Sequence, residues 1–170
     1  MVWCGVTQSA IGFSSCLILP LIFAAHAIVP KYFTDLYMQG AINLWYLTVI
    51  FPILGSGVII TVQSWIVAYR ERDLLSMGTA AWNTFAMAYD TYNAVEGIGP
   101  ALSSVWDAIS SAIPSSSDED DSGAMIGLAI MLLVVVAALG GGVVITMAIV
   151  KHYAGSLPVP ANVRRYARAT

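Results

Sequence analysis

Few side chains in this chain could move a proton, attack a bond or hold a metal, and they are scattered. There are two histidines, His26 and His152, and two cysteines, Cys4 and Cys16. Catalysis needs several such groups converging on one place. His26 lies near the end of an apolar run, where an imidazole reaches interfacial water. Its ordinary reading is a satisfied interfacial residue; the sharper one is a proton path or a ligand. Cys16, inside an apolar run, reads as a small packing residue. A Cys4–Cys16 disulfide would require the chain to fold back on itself. No Cys-x-x-Cys and no histidine cluster is present, which argues against a structural zinc site. Gln63 sits in a second apolar run and is expected to hydrogen-bond across helices. No apolar run carries the series of acids or bases that marks a pump or ion pathway. The expectation is therefore a protein that is not an enzyme and binds no cofactor or metal.

The elements that position these groups follow from composition. Of 170 residues, 58% are hydrophobic and only 10% charged, with a mean hydropathy of +0.78. Soluble domains carry about a quarter charged residues, so most of this surface must face lipid or another apolar chain. The fold class expected is all-α integral membrane, in a single membrane domain covering 1–170. Three runs reach the roughly 20 residues that a hydrocarbon core of about 30 Å requires. The first, 9–29, contains Pro20 and is closed by Pro30. The second, 41–69, bends at Pro52 with Gly55 and Gly57. The third, 124–150, has no charge. No Lys or Arg precedes the first run, so it reads as a retained span rather than a signal peptide. The connector 31–40 is short, which makes the first two spans an antiparallel hairpin. Tyr32, Phe33, Tyr37, Trp45 and Tyr46 around it mark one membrane interface; Trp65 and Tyr69 mark the other.

Between the second and third spans lies an amphipathic segment, 74–113. Leu75, Gly78, Trp82, Phe85, Tyr89 and Tyr92 recur at steps of three and four, the period of one helix face. Gly97, Gly99 and Pro100 then read as a hinge. The pattern resumes at Leu102, Val105, Trp106, Ile109 and Ile113. This predicts an amphipathic helical hairpin folded at 97–100. It could lie flat in the headgroup layer, insert and remodel the membrane, or pack against protein. Residues 97–113 resemble short membrane-lytic peptides of the melittin kind in their Gly-Ile-Gly start and Trp-Ile patch, but they lack the basic residues those peptides use. That favours a contact surface, with Trp82, Phe85, Tyr89, Tyr92, Trp106 and Ile109 as partner-facing residues.

The third span places Ala137 with Gly141, and Ala138 with Gly142, four apart. Small faces of this kind let helices approach closely, either within the chain or against another subunit. An acidic loop, 114–123, precedes this span, and Ser122 is a candidate cap. A basic tail, 151–170, follows it. Its Arg164, Arg165 and Arg168 suit anionic lipid headgroups first and nucleic acid second, with Tyr166 available to stack. Three crossings would put five basic residues with Asp35 on one side. Two basic residues and nine acids would lie on the other, giving +4 and −7 within the chain's −3. The positive-inside rule then predicts the N-terminus outside and the C-terminus inside.

With Ser115-Ser-Ser-Asp-Glu-Asp-Asp121 on one side, Ala/Val/Gly-rich spans and a short arginine tail on the other, the chain is similar in character to small virion membrane proteins of internal-membrane viruses of halophilic archaea. The resemblance implies a structural protein that ties a virion internal membrane to its capsid shell, with capsid proteins as partners and the tail toward the genome. The leading reading is a non-catalytic multi-pass scaffold in a large assembly. The alternatives are a holin-like or channel-forming protein that permeabilises membranes, and an accessory subunit of a membrane redox complex.

Overall fold

The computed structural model describes residues 2–113 and 122–154. They form four helices: α1 (Val2–Ile28), α2 (Asp35–Glu71), α3 (Leu74–Ser110) and α4 (Ser122–Ala154). The all-α class and the three apolar spans are present: 23 residues of α1, all of α2 and 31 residues of α4 are long and apolar enough to cross a membrane. Their large apolar side chains point outward in numbers no soluble protein would tolerate; Phe23, Phe51, Leu133, Val136 and Val144 are all about two-thirds exposed. α2 and α4 run past their apolar stretches at both ends, α1 begins seven residues before its own, and α3 stops three residues short of the amphipathic segment's end. Pro20, Pro52 and Pro100 lie inside helices rather than ending them.

The amphipathic segment differs from expectation. It is not two helices folded at Gly97–Gly99–Pro100 but one uninterrupted helix of 37 residues. Proline inside a helix removes one backbone bond and crowds the preceding turn. Here both halves are held along one face by α2, through buried Ala94 before the proline and Ala101, Val105 and Ala108 after it. The fold-back occurs earlier, between α2 and α3. Arg72 adopts a left-handed conformation (φ 54°) and its N–H bonds the Ala68 carbonyl. Asp73 then caps α3, its Oδ1 accepting from the Ser76 N–H at 2.7 Å. A two-residue connection of this kind forces the helices to pack antiparallel.

The α2–α3 pairing runs the full length of both helices. Near the turn, Trp65 Nε1 donates to Thr84 Oγ1 at 2.9 Å, and Asn83 Nδ2 to Ser64 Oγ at 2.6 Å. Midway, Gly57 faces Met87 and Gly97 faces the Tyr46 hydroxyl. At the far end, a Cβ on Gly40 would lie 2.9 Å from that of Ala108, and Tyr37 and Ser111 share a hydroxyl hydrogen bond of 3.3 Å. α4 lies along α1 in the same antiparallel sense, with Gly142 against Ala10 and Ser14. It enters beside the α1–α2 connection, where Gly123 and Gly127 meet Tyr32 and Tyr37. The core gathers here: Ile18, Ile22, Phe33, Tyr37, Ala41, Ala108, Met131 and Ala138 are buried together.

Candidate functional site

Among the described residues the reactive groups stay dispersed. The His26 Nδ1–H donates to the Phe33 carbonyl at 2.8 Å and so closes the α1–α2 turn. Cys4 and Cys16 lie on the same helix, twelve residues and about 18 Å of rise apart. That is far beyond the roughly 7 Å limit on Cα separation for a disulfide. Cys16 is a free thiol on the outer surface rather than a packing residue. Gln63 does not carry the interhelical bonding at its level; Ser64, Asn83, Thr61, Trp65 and Thr84 do. It lines a cleft of about 530 Å³ with Gln8, Ser64, Asp73, Ser76 and Thr79.

The feature with the character of a site is α3, because its two faces have separate work. Toward α2 it presents Ala80, Met87, Ala94, Ala101 and Ala108, one residue every seventh position. Four of these are alanines buried to 3% exposure or less. A heptad repeat of small residues lets two helix backbones approach and keeps them in register along a gently twisted pair. This face attaches α3 without help from its large aromatic side chains.

Those large side chains are on the opposite face. Trp82, Phe85, Tyr89 and Tyr92 are 59–67% exposed, and Trp106 is 64% exposed. The Trp82 and Phe85 rings lie 6.0 Å apart and tilted by 36°. The steps of three and four that join these residues continue to Glu96, whose carboxylate accepts a hydrogen bond from the Tyr92 hydroxyl. Among the expected contact residues, only Ile109 is turned partly inward and half-buried. The aromatic stripe is the face of α3 that the rest of the chain leaves uncovered. The signal for the bound face was the seven-residue alanine spacing.

The other expected surfaces divide cleanly. Ala138 is fully buried and Gly142 is buried, both against α1, with Gly141 close to Leu17; Ala137 faces outward. Arg164, Arg165 and Arg168, and the acids at 118–121, lie outside the described residues. At the α2–α3 turn, the Ser76 backbone N–H holds the Asp73 carboxyl below its usual range. Arg72 rests over the Tyr69 ring at 5.8 Å.

Comparison with family models, curated proteins and solved structures returns no match. The chain's function is therefore argued from its own surfaces.

Proposed function

We propose that this multi-pass helical membrane protein is a non-catalytic scaffold, a structural subunit of a larger assembly. The α3 stripe of Trp82, Phe85, Tyr89, Tyr92 and Trp106 is the contact face for a protein partner. The observation that carries this reading is the independence of the two faces of α3. The helix is fixed by its alanine seam, yet it carries four large aromatics in succession that take no part in the chain's own core. Aromatic anchors of this kind dominate protein interfaces. A virion internal membrane beneath a capsid shell is the setting the compositional resemblance suggests. There the acidic linker would face the shell, and Arg164, Arg165 and Arg168 would face anionic lipid or the genome. A channel assembled through the small face of α4 is disfavoured, since Ala138, Gly141 and Gly142 are already occupied by α1.

The Trp82→Ser, Trp106→Ser double variant tests the scaffold reading. It should insert in the membrane as the native chain does and drop out of the assembly recovered after mild detergent extraction. Normal assembly in that variant overturns the contact role. Dye release from liposomes by the purified protein at low surface density would favour a permeabilising protein instead.

A further inference from the structure

We infer that α3 crosses the membrane as a fourth span, so that both chain termini lie on one side and the acidic linker on the other. Hydropathy alone marks three helices; chain geometry calls for the fourth. α2 leaves the end of the bundle where Tyr32 and Tyr37 lie, and 37 residues later it has risen about 55 Å to the Arg72–Asp73 turn. α4 also starts beside Tyr32 and Tyr37, at Gly123 and Gly127, and runs the same way as α2, with Met131 packed over Gly40. Two apolar spans that run parallel from the same end require the chain to return between them. α3 makes that return in full register with α2, from Ser76 at the turn to Ser111 beside Tyr37.

Its polar residues are arranged for such a path. Asn83 and Thr84 hydrogen-bond to Ser64 and Trp65 of α2, and Thr79, Thr84 and Thr91 each bond a carbonyl one turn back. These bonds meet the requirement that backbone and side-chain polar groups in hydrocarbon find partners inside the protein.

The distribution of charge agrees with four crossings better than with three. Four crossings would put Lys31 alone with Asp35, Asp107, Asp118, Glu119, Asp120 and Asp121 on the side of the α1–α2 connection. They would put Arg70, Arg72, Lys151, Arg164, Arg165 and Arg168 with Glu71 and Asp73 on the other. Basic residues near span ends divide six to one, compared with five to two for three crossings. By the positive-inside rule, the end with both termini and the α2–α3 turn faces the cytoplasm. This replaces the opposite-side placement of the termini.

Asp90 and Glu96 remain within the crossing, both on the outer surface of the bundle. An acid at the centre of a spanning helix is costly to insert, and such residues normally face protein. Resting on the scaffold reading above, the partner that covers Tyr92 and Glu96 is therefore another membrane helix rather than a soluble protein.

Single-cysteine labelling tests the fourth crossing without depending on the partner. Cys4 and Cys16 are first replaced by serine. Cysteines are then introduced singly as Leu74→Cys, whose native side chain is 91% exposed at the turn, Ser116→Cys in the linker, and Thr170→Cys. A membrane-impermeant maleimide is applied to intact cells and to inverted vesicles. Position 116 should label only from outside, and positions 74 and 170 only from inside. Labelling of 74 and 116 from the same side overturns the fourth crossing, whatever becomes of the scaffold assay.

Discussion

The α1–α4 and α2–α3 pairs are both long antiparallel contacts closed by small residues, yet they are built for different degrees of independence. α4 has no charged residue before Lys151 and meets α1 through glycine and alanine, backbone against backbone. It would cross a bilayer unaided. α3 carries Asp90, Glu96 and Asp107 and is joined to α2 by side-chain hydrogen bonds as well as by its alanine seam. One helix is held in the membrane by its composition, the other by its neighbour. An isolated polar helix is poorly tolerated in hydrocarbon, but a paired one can satisfy its polar groups across the interface.

The sharpest way to break the α1–α4 side is to add one methyl group. A Cβ at Gly142 would strike the Ala10 carbonyl and come within 2.8 Å of the Ser14 nitrogen, backbone atoms that cannot swing aside. Gly142→Ala should lower stability by about 1–3 kcal/mol, the usual range for overpacking. Gly140, two residues away, has nothing within 4 Å. Gly140→Ala should be neutral or slightly stabilising. Denaturation in detergent, followed by tryptophan fluorescence, measures both. Equal effects would mean that α4 does not seat on α1 through Gly142.

The corresponding test of the α3 seam is Ala108→Leu. Ala108 is fully buried over Gly40, so the substitution should cost about 1–3 kcal/mol. Ala137→Leu, on the outer face of α4, should stay within about 0.5 kcal/mol of the native protein. A smaller effect isolates the polar half of the α2–α3 contact. In a double-mutant cycle of Asn83→Ala and Ser64→Ala, the coupling should be about 0.6 kcal/mol and no more than about 1.7, as found for hydrogen bonds between membrane helices. A coupling indistinguishable from zero would remove the Asn83–Ser64 bond from the forces that hold α3 on α2.

The same contrast explains what could be read from the sequence. α1, α2 and α4 are legible because a run of apolar residues needs no neighbour to interpret it. α3 is legible as a helix, and its aromatic stripe stands out because tryptophan and tyrosine dominate any periodicity count. Its orientation is not legible from that stripe, because in lipid large side chains face outward and small ones form the contact, the reverse of a soluble core. Gly97 and Pro100 look like a break for a related reason. Gly97 is small because the Tyr46 hydroxyl would lie 2.6 Å from its Cβ, and the helix continues across the proline along α2. The direction of α4 depends on which end of the bundle receives it, and that is a property of tertiary packing.

The smallest effect concerns the turn that folds α3 back on α2. The Asp73 carboxylate accepts the Ser76 N–H and is thereby held below its ordinary value of 3.8. A group whose folded pKa is depressed adds stability that is complete above the unfolded value and disappears as pH falls through the folded one. The native cap should therefore weaken only below about pH 3.8. Asp73→Asn keeps an acceptor for the Ser76 N–H without a titrating proton, so its stability should fall less steeply over that acid range. Asp73→Ala should be weaker than native at neutral pH, by a margin that narrows in acid. The rest of the chain is identical in all three proteins, so the differences between the curves report on this turn alone. Parallel curves for Asp73→Asn and the native chain would show that the carboxylate does not hold the start of α3, leaving the Arg72 conformation and the alanine seam to set the return path.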